Sequence, residues 1–294
     1  EDIKKKLIEE DPNSADLLKP FLEGKDLKKW HNQSRKLYII YIPKNEIDID
    51  DYPAIKEWLI VHKDRLEKRA TKQEWFELQQ AQLAYKPSFE GNKIQYAHFC
   101  SSPLFHMNTN GAFSNDKSYI IPTDDYYLYG LLNSNLIWFF IQSICPFVSG
   151  GYYELRVQYI ETLPIPNKPE NEVISKISEE CQSTVEARYK CETSFARRLE
   201  DLVPEKGIFK LNNKLNSWWE LDFVGLQAEI KKAFKGSISL TERNDWQDYF
   251  ESEQTKRQQL QAKVTLLEDE LNQEVYKLFN LTPDEIALIE AEVK

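Results

Sequence analysis

The stretch Leu163-Pro164-Ile165-Pro166-Asn167-Lys168-Pro169 divides the chain into two unlike parts. A proline fixes φ and has no N–H, and it pushes the residue before it into extended conformations. Neither a helix nor a central strand can therefore run through three of them in six residues, and the segment reads as an extended linker. Before it lie short runs rich in aromatic and β-branched residues and bounded by turn formers: Leu37–Ile42, Trp75–Leu78, Ile94–Phe99, Ser118–Ile121 and Tyr152–Ile160. These predict strands. After it the apolar residues recur at helical steps. The fold class that follows is α+β, a mixed sheet-and-helix domain over 1–168, followed by an all-α region over 169–294 with long, coiled-coil-like antiparallel helices.

Two helical stretches interleave with the strands. Asp51-Tyr52-Pro53 offers an N-cap Asp ahead of a first-turn proline, and Ile55, Trp58, Leu59, His62 and Leu66 follow at helical spacing. The second stretch, 126–144, is predicted to break at Asn133-Ser134-Asn135, where Ser134 can cap a new helix. Beyond the linker, Ile174, Ile177, Cys181, Val185, Tyr189, Phe195, Leu199 and Leu202 share one helical face. Trp218-Trp219, Phe223, Leu226, Ile230 and Phe234 mark a shorter piece. From Thr241 to about Asn280, a narrow stripe (Trp246, Phe250, Leu260, Val264, Leu267, Leu271, Leu278) predicts the longest helix. Such a stripe is the seam of a helix pair, most simply with 172–202.

The chain has 294 residues and a formal net charge of −10, which argues against a surface coated with basic charge. The acid is unevenly placed. Residues 1–18 carry −3, 19–168 carry +1 and 169–294 carry −8. Residues 126–153 hold no charged side chain, yet Asn133, Ser134, Asn135 and Gln142 interrupt the run and Pro146, Gly150 and Gly151 break it. A buried core helix is favoured over a membrane span. Four cysteines without a CxxC pair predict reduced thiols in a cytoplasmic protein. The chain starts at Glu1 with neither Met nor a signal peptide, and is read as a fragment of a longer protein.

The common catalytic motifs GxGxxG, GxxxxGK[ST] and GxSxG are absent. His98 and Cys100 share a strand face with His106 nearby, but a zinc site would need Cys145 as a distant fourth ligand, so these are expected to be ordinary strand residues. Pro283-Asp284 with Glu292-Val293-Lys294 spells the PD…ExK pattern of metal-dependent nucleases. That chemistry needs its carboxylates on adjacent strands. Thr282-Pro283-Asp284-Glu285 reads instead as a helix cap with a capping-box glutamate. No catalytic residue and no metal ligand is assigned.

Basic and polar residues before the linker are the remaining signal. Lys25, Lys28, Lys29, Arg35, Lys36, Arg69, Lys72, Lys86, Lys93 and Lys117 form a candidate rim for phosphate contacts. Asn108, Asn110, Ser114 and Asn115, around Gly111, are candidate base readers. The plain alternative is solvated surface and ordinary turn residues. Arg156 has two readings as well, contact with DNA or an internal pair with Glu154 or Asp125, the latter slightly favoured.

Leu18-Lys19-Pro20-Phe21-Leu22-Glu23-Gly24-Lys25-Asp26-Leu27-Lys28-Lys29-Trp30 resembles the entry segment of the target-recognition domain of bacterial N6-adenine DNA methyltransferases. Trp75-Phe76-Glu77-Leu78-Gln79, the run from Tyr119-Ile120-Ile121-Pro122 to Leu131-Leu132-Asn133-Ser134, and Gly150-Gly151-Tyr152-Tyr153-Glu154-Leu155-Arg156 through Leu163-Pro164-Ile165-Pro166 resemble the same TaqI-like specificity domain, in the family's order. The acidic helical remainder resembles the C-terminal region of type IIG restriction-modification enzymes. The resemblance implies a reader of double-stranded DNA that serves a methyltransferase domain lying upstream of Glu1 in the same polypeptide. It implies no cofactor in this chain, and S-adenosylmethionine, with or without Mg²⁺, in the full-length enzyme. The family's Asn-Pro-Pro-Tyr motif is absent from these residues. A competing reading is a non-enzymatic helical interaction module with the first part as scaffold; a stand-alone metal hydrolase has almost no residue support.

Overall fold

In a computed structural model, residues 1–79, 81, 83–170, 172–204 and 209–293 are described. The chain forms two compact units, Glu1–Ser175 with Leu281–Lys294, and Lys176–Asn280. Among the described residues no helix is long and apolar enough to cross a membrane.

The first unit is built on short strands: β1 (Leu18–Phe21), β2 (Leu27–Lys28), β3 (His31–Asn32), β4 (Leu37–Ile40), β5 (Lys93–Ala97), β6 (Phe99–Cys100), β7 (His106–Asn108), β8 (Ser118–Pro122), β9 (Phe147–Val148) and β10 (Tyr152–Glu154). They pair antiparallel in four small sheets, β1-β4, β2-β3, β7-β5-β8 and β6-β10-β9. Strand β5 is buried along its whole length. Its polar Gln95 accepts a bond from Asn108 Nδ2 on β7 (3.0 Å) and donates to Ser118 Oγ at the start of β8 (3.4 Å). A register slip of one residue would turn these groups to the opposite face and strand them without partners, so the polar ladder fixes the alignment of all three strands.

Helix Tyr126–Leu132 stops at Asn133, and Asn135–Ile144 begins after Ser134, whose hydroxyl accepts from Ile137 N–H. This is the predicted break. Asn133 does more than interrupt, because its amide donates to the carbonyls of Phe105 and Tyr129 (both 3.2 Å) and accepts from Phe105 N–H. It ties the helix turn to the segment leading into β7. Trp30 packs edge-on against Tyr129, with ring centroids 5.0 Å apart. A second cluster gathers Leu7, Leu17, Ile42, Ile49 and Ile55 under helices Asp2–Glu10 and Pro53–Ile60. The linker runs extended over the surface, where Pro166 carbonyl accepts from the Tyr127 hydroxyl (3.1 Å). Helix Pro283–Glu292 packs with Asn135–Ile144, burying Ile289 and placing Glu290 beside Asn135. Its start is a capping box between Thr282 and Glu285. Asp284 and Glu292 therefore lie on one helix; Lys294 is outside the described residues.

The second unit is helical, with Val173–Arg198, Phe223–Phe234 and the 36-residue Arg243–Leu278, about 54 Å long. Glu180 meets Lys263 (2.6 Å), Glu192 meets Arg257 (2.9 Å) and Phe195 meets Phe250 (5.8 Å between centroids). Residue numbers rise on one helix as they fall on the other, so the pair is antiparallel as the apolar stripes predicted. Trp218 stacks on Phe195 at 3.9 Å and closes the core.

Four local expectations are corrected. Trp75–Leu78 is not a strand but a turn. Buried Glu77 shapes it by accepting from the N–H groups of Asn45 (2.6 Å) and Glu74 (2.8 Å). Tyr152–Ile160 is a strand only to Glu154, after which Leu155 is buried and Val157–Ile160 forms a helical turn. Asp51 closes a 3₁₀ turn, leaving Tyr52 as the cap residue of Pro53–Ile60. That helix ends at Ile60, and Leu66 lies on the separate Lys63–Leu66.

Candidate nucleic-acid interface

The site begins with a tight turn. Gly24–Asp26 is a 3₁₀ turn closed by a reciprocal capping box, in which Glu23 and Asp26 each accept from the other's backbone end. Arg35 clamps both carboxylates, bonding Asp26 through Nε (2.6 Å) and Nη2 (3.2 Å) and Glu23 through Nη2. Burial pushes the Asp26 carboxyl up, but the bonds from Arg35 and from Glu23 N–H outweigh it and hold it below its ordinary value. Bonds from Lys25 and Arg35 hold Glu23 down in the same way. The turn thus stays rigid and ionised while Lys25 and Lys28 project from it.

A close approach then sets the site's width. A β-carbon built on Gly24 would lie 2.9 Å from the Lys117 carbonyl and 3.2 Å from Ala97 Cβ. Only glycine lets the turn lie this near the β5 end and the loop before β8. That loop is secured at its foot. Asn108 Oδ1 accepts from the N–H groups of Asn110 (3.2 Å) and Ala112 (3.4 Å), and Gly111 takes a positive φ of 67°. At its far end Asn115 Oδ1 accepts from Lys117 N–H (3.0 Å), while Lys117 carbonyl accepts from His98 N–H (2.9 Å).

Between these walls lies an open cleft of about 580 Å³, lined by Lys25, Lys28, Asn115 and Lys117 together with Phe99 and Tyr152. The floor follows from strand register. Tyr153 pairs with Cys100 and Glu154 with Phe99, so Phe99 and Tyr152 stand on the face opposite buried Cys100. Phe99 is 42% and Tyr152 45% exposed. The lining carries three lysines against one carboxylate, Glu23, which pairs with Lys25 (3.1 Å) and with Arg35. Such a cleft attracts anions and offers flat apolar surface beside them.

The structure sorts the sequence candidates. Lys25, Lys28, Lys117 and Asn115 converge on the cleft. Asn110 is exposed and Ser114 half-buried on the same loop, and Lys36 is exposed beyond Arg35. Lys29 lies over the Trp30 ring (5.8 Å). Lys72 is exposed and Lys86 half-buried at the start of helix Lys86–Glu90, and neither lines the cleft. Four candidates are engaged inside the protein. Lys93 is fully buried, donating to the carbonyls of Phe89 (2.6 Å) and Gly91 (3.2 Å), and burial lowers its ammonium to about 8. Asn108 is fully buried and spent on Gln95 and its own loop. Arg35 is committed to its two carboxylates, and Arg69 donates to the carbonyls of Leu66 (2.7 Å) and Trp75 (2.8 Å). Arg156 pairs internally with Glu154 (2.8 Å), the reading the sequence favoured. The sequence reading missed Phe99 and Tyr152; an aromatic beside Gly150-Gly151 was the available hint.

The zinc candidates are engaged elsewhere. His98 Nε2 meets Glu154 (3.0 Å), the Cys100 thiol donates to Ala97 carbonyl, and His106 Nε2 meets the Asn32 amide (2.9 Å). Among the described residues no group of three or more His, Cys, Asp or Glu side chains is placed to hold a metal ion.

The first unit is a mixed α+β domain that presents a cationic cleft beside a polar loop. The family model for the TaqI-like C-terminal specificity domain matches residues 19–165, half of the chain, and the chain belongs to that family. Residues 167–275 match a further model, a domain of unknown function. Among solved structures the chain is similar to the type IIL restriction-modification enzyme MmeI in complex with DNA, at 14% identity and a TM-score of 0.42. The match covers 87% of this chain and 33% of that one, so this chain spans about a third of the neighbour's length.

Proposed function

We propose that this chain recognises a sequence in double-stranded DNA as the specificity portion of an adenine-specific DNA methyltransferase or restriction-modification enzyme. The observation that carries the proposal is the convergence of Lys25, Lys28, Lys117 and Asn115 on one cleft inside the residues matched as a specificity domain. Lysines placed this way position the duplex through its phosphates, while exposed polar groups of the 109–117 loop are available to base edges. Residues 1–168 would do the reading and 169–294 would serve as a helical extension. The catalytic domain would lie upstream in the same polypeptide, with S-adenosylmethionine, and Mg²⁺ if the enzyme also cuts, bound there.

The test is duplex binding by fluorescence anisotropy across a salt series. Affinity should fall steeply with salt, and the slope should shrink by about 0.9 for each phosphate contact removed. Lys25→Glu, Lys28→Glu and Lys117→Glu together should abolish binding, whereas Arg69→Gln, a change at an internally bonded side chain, should leave the slope as it was. Undiminished binding by the triple variant at low salt would reject the cleft as the contact surface. For the whole enzyme, methyl transfer from S-adenosylmethionine to adenine in its target site is the decisive assay.

A further inference from the structure

The aromatic floor of the cleft is more than positioning a duplex requires. Phosphate contacts need cations, and base-edge reading needs hydrogen-bonding groups; neither needs large rings held out of the core. Yet Phe99 and Tyr152 stand exposed on the strand face opposite buried Cys100. Each ring has a neighbour in the residue or the turn beside it. Phe99 stacks on His98 at 4.3 Å and 23°. The ring of Tyr152 leans on the turn at Gly150, where an added β-carbon would lie 3.7 Å from Tyr152 Cδ2. The positive φ angles of Gly150 (78°) and Gly151 (83°) form the tight return that delivers Tyr152 to β10.

The cleft's size points the same way. At about 580 Å³ it falls within the ~300–1,000 Å³ of small-ligand sites. We propose that the cleft takes a single unstacked nucleotide of a DNA strand, its base lying against Phe99 and Tyr152 and its flanking phosphates on Lys25, Lys28 and Lys117. Every base has a π-face, so stacking on such rings is tolerant of sequence and recovers part of the cost of leaving the helix. Asn115 spends its oxygen on Lys117 N–H, which leaves its amide NH₂ for the base edge. The proposal rests on the DNA reading above and adds a second mode of contact to it.

The test compares three fluorescent probes on the full chain: a twelve-nucleotide thymidine strand, an abasic deoxyribose-phosphate strand of equal length, and a duplex. The thymidine strand should bind at least about fivefold more tightly than the abasic one, the lower end of one stacked base. Phe99→Ala with Tyr152→Ala should bring that ratio to about one, and Phe99→Tyr with Tyr152→Phe should restore it, which separates stacking from misfolding. Equal affinity for thymidine and abasic strands, or a ratio that survives the double alanine variant, overturns the proposal. If the duplex still binds in a salt-sensitive way, the reading of double-stranded DNA stands without it. If no probe binds, both fall.

Discussion

Buried polar residues do two kinds of work here, and His106 shows how chemistry separates them. Burial, with the charges of His31 and Lys93 adding to it, lowers its imidazole from 6.5 to about 3. The Asn32 amide beside Nε2 fits only a neutral ring, since an imidazolium would set donor against donor. The unfolded chain binds a proton near 6.5 while the folded one refuses it down to about 3, so stability falls as pH drops through that window and is fully present above it. Urea unfolding at pH 7 and at pH 5 should show wild type losing about 1.4 kcal/mol more per pH unit than His106→Gln below 6. Parallel pH profiles for the two proteins would refute this role. At the same scale, the misplaced candidates Lys93 and Asn108 have one cause. A lysine or asparagine in a short run is ordinarily solvated, and nothing local says that β5 is a central strand.

At the scale of elements, what was legible follows from how local the cause is. The break at Ser134, the Thr282 cap and the antiparallel seam between Val173–Arg198 and Arg243–Leu278 rest on neighbouring residues or on periodicity, and all three were readable. Trp75–Leu78 has the composition of a strand, but Glu77 captures Asn45 from a distant segment and bends it into a turn. The cleft was partly legible as lysines, and not as a place, because its walls are brought together by residues far apart in sequence, Gly24 against Ala97 and Lys117. Gly24→Ala should therefore push the walls apart. The expected cost is about 1–3 kcal/mol of stability, with duplex affinity reduced because Lys25 and Lys28 move away from Lys117. Thermal unfolding and anisotropy on the same sample check both; an unchanged affinity would mean that the turn's position does not matter.

Across the whole molecule, the net charge of −10 is a sum over unlike parts. The helical unit Lys176–Asn280 carries only −3 of it and has a core of its own, centred on Phe195, Trp218 and Phe250, whereas the cleft lies within the other unit, which carries −7. Phe195→Ala removes a fully buried ring that stacks on Trp218 and should cost about 3–5 kcal/mol. Hydrogen exchange should show lost protection over 176–280 and little change in β5 and β8. Equal loss in both would show that the units unfold as one.

The anchoring by Asn108 has a consequence for descent. Its side chain holds the near end of the 109–117 segment through backbone N–H groups, and Ser118 is tied to Gln95 at the far end. Neither attachment uses the side chains in between, at Thr109, Asn110, Ser114 or Asp116. Buried Ala112 and Phe113 belong to the frame, with Phe113 bonded to β1 and packed on Tyr41 and Phe89, so the four exposed or half-buried positions beside them are where point substitutions can alter the surface without renegotiating the fold.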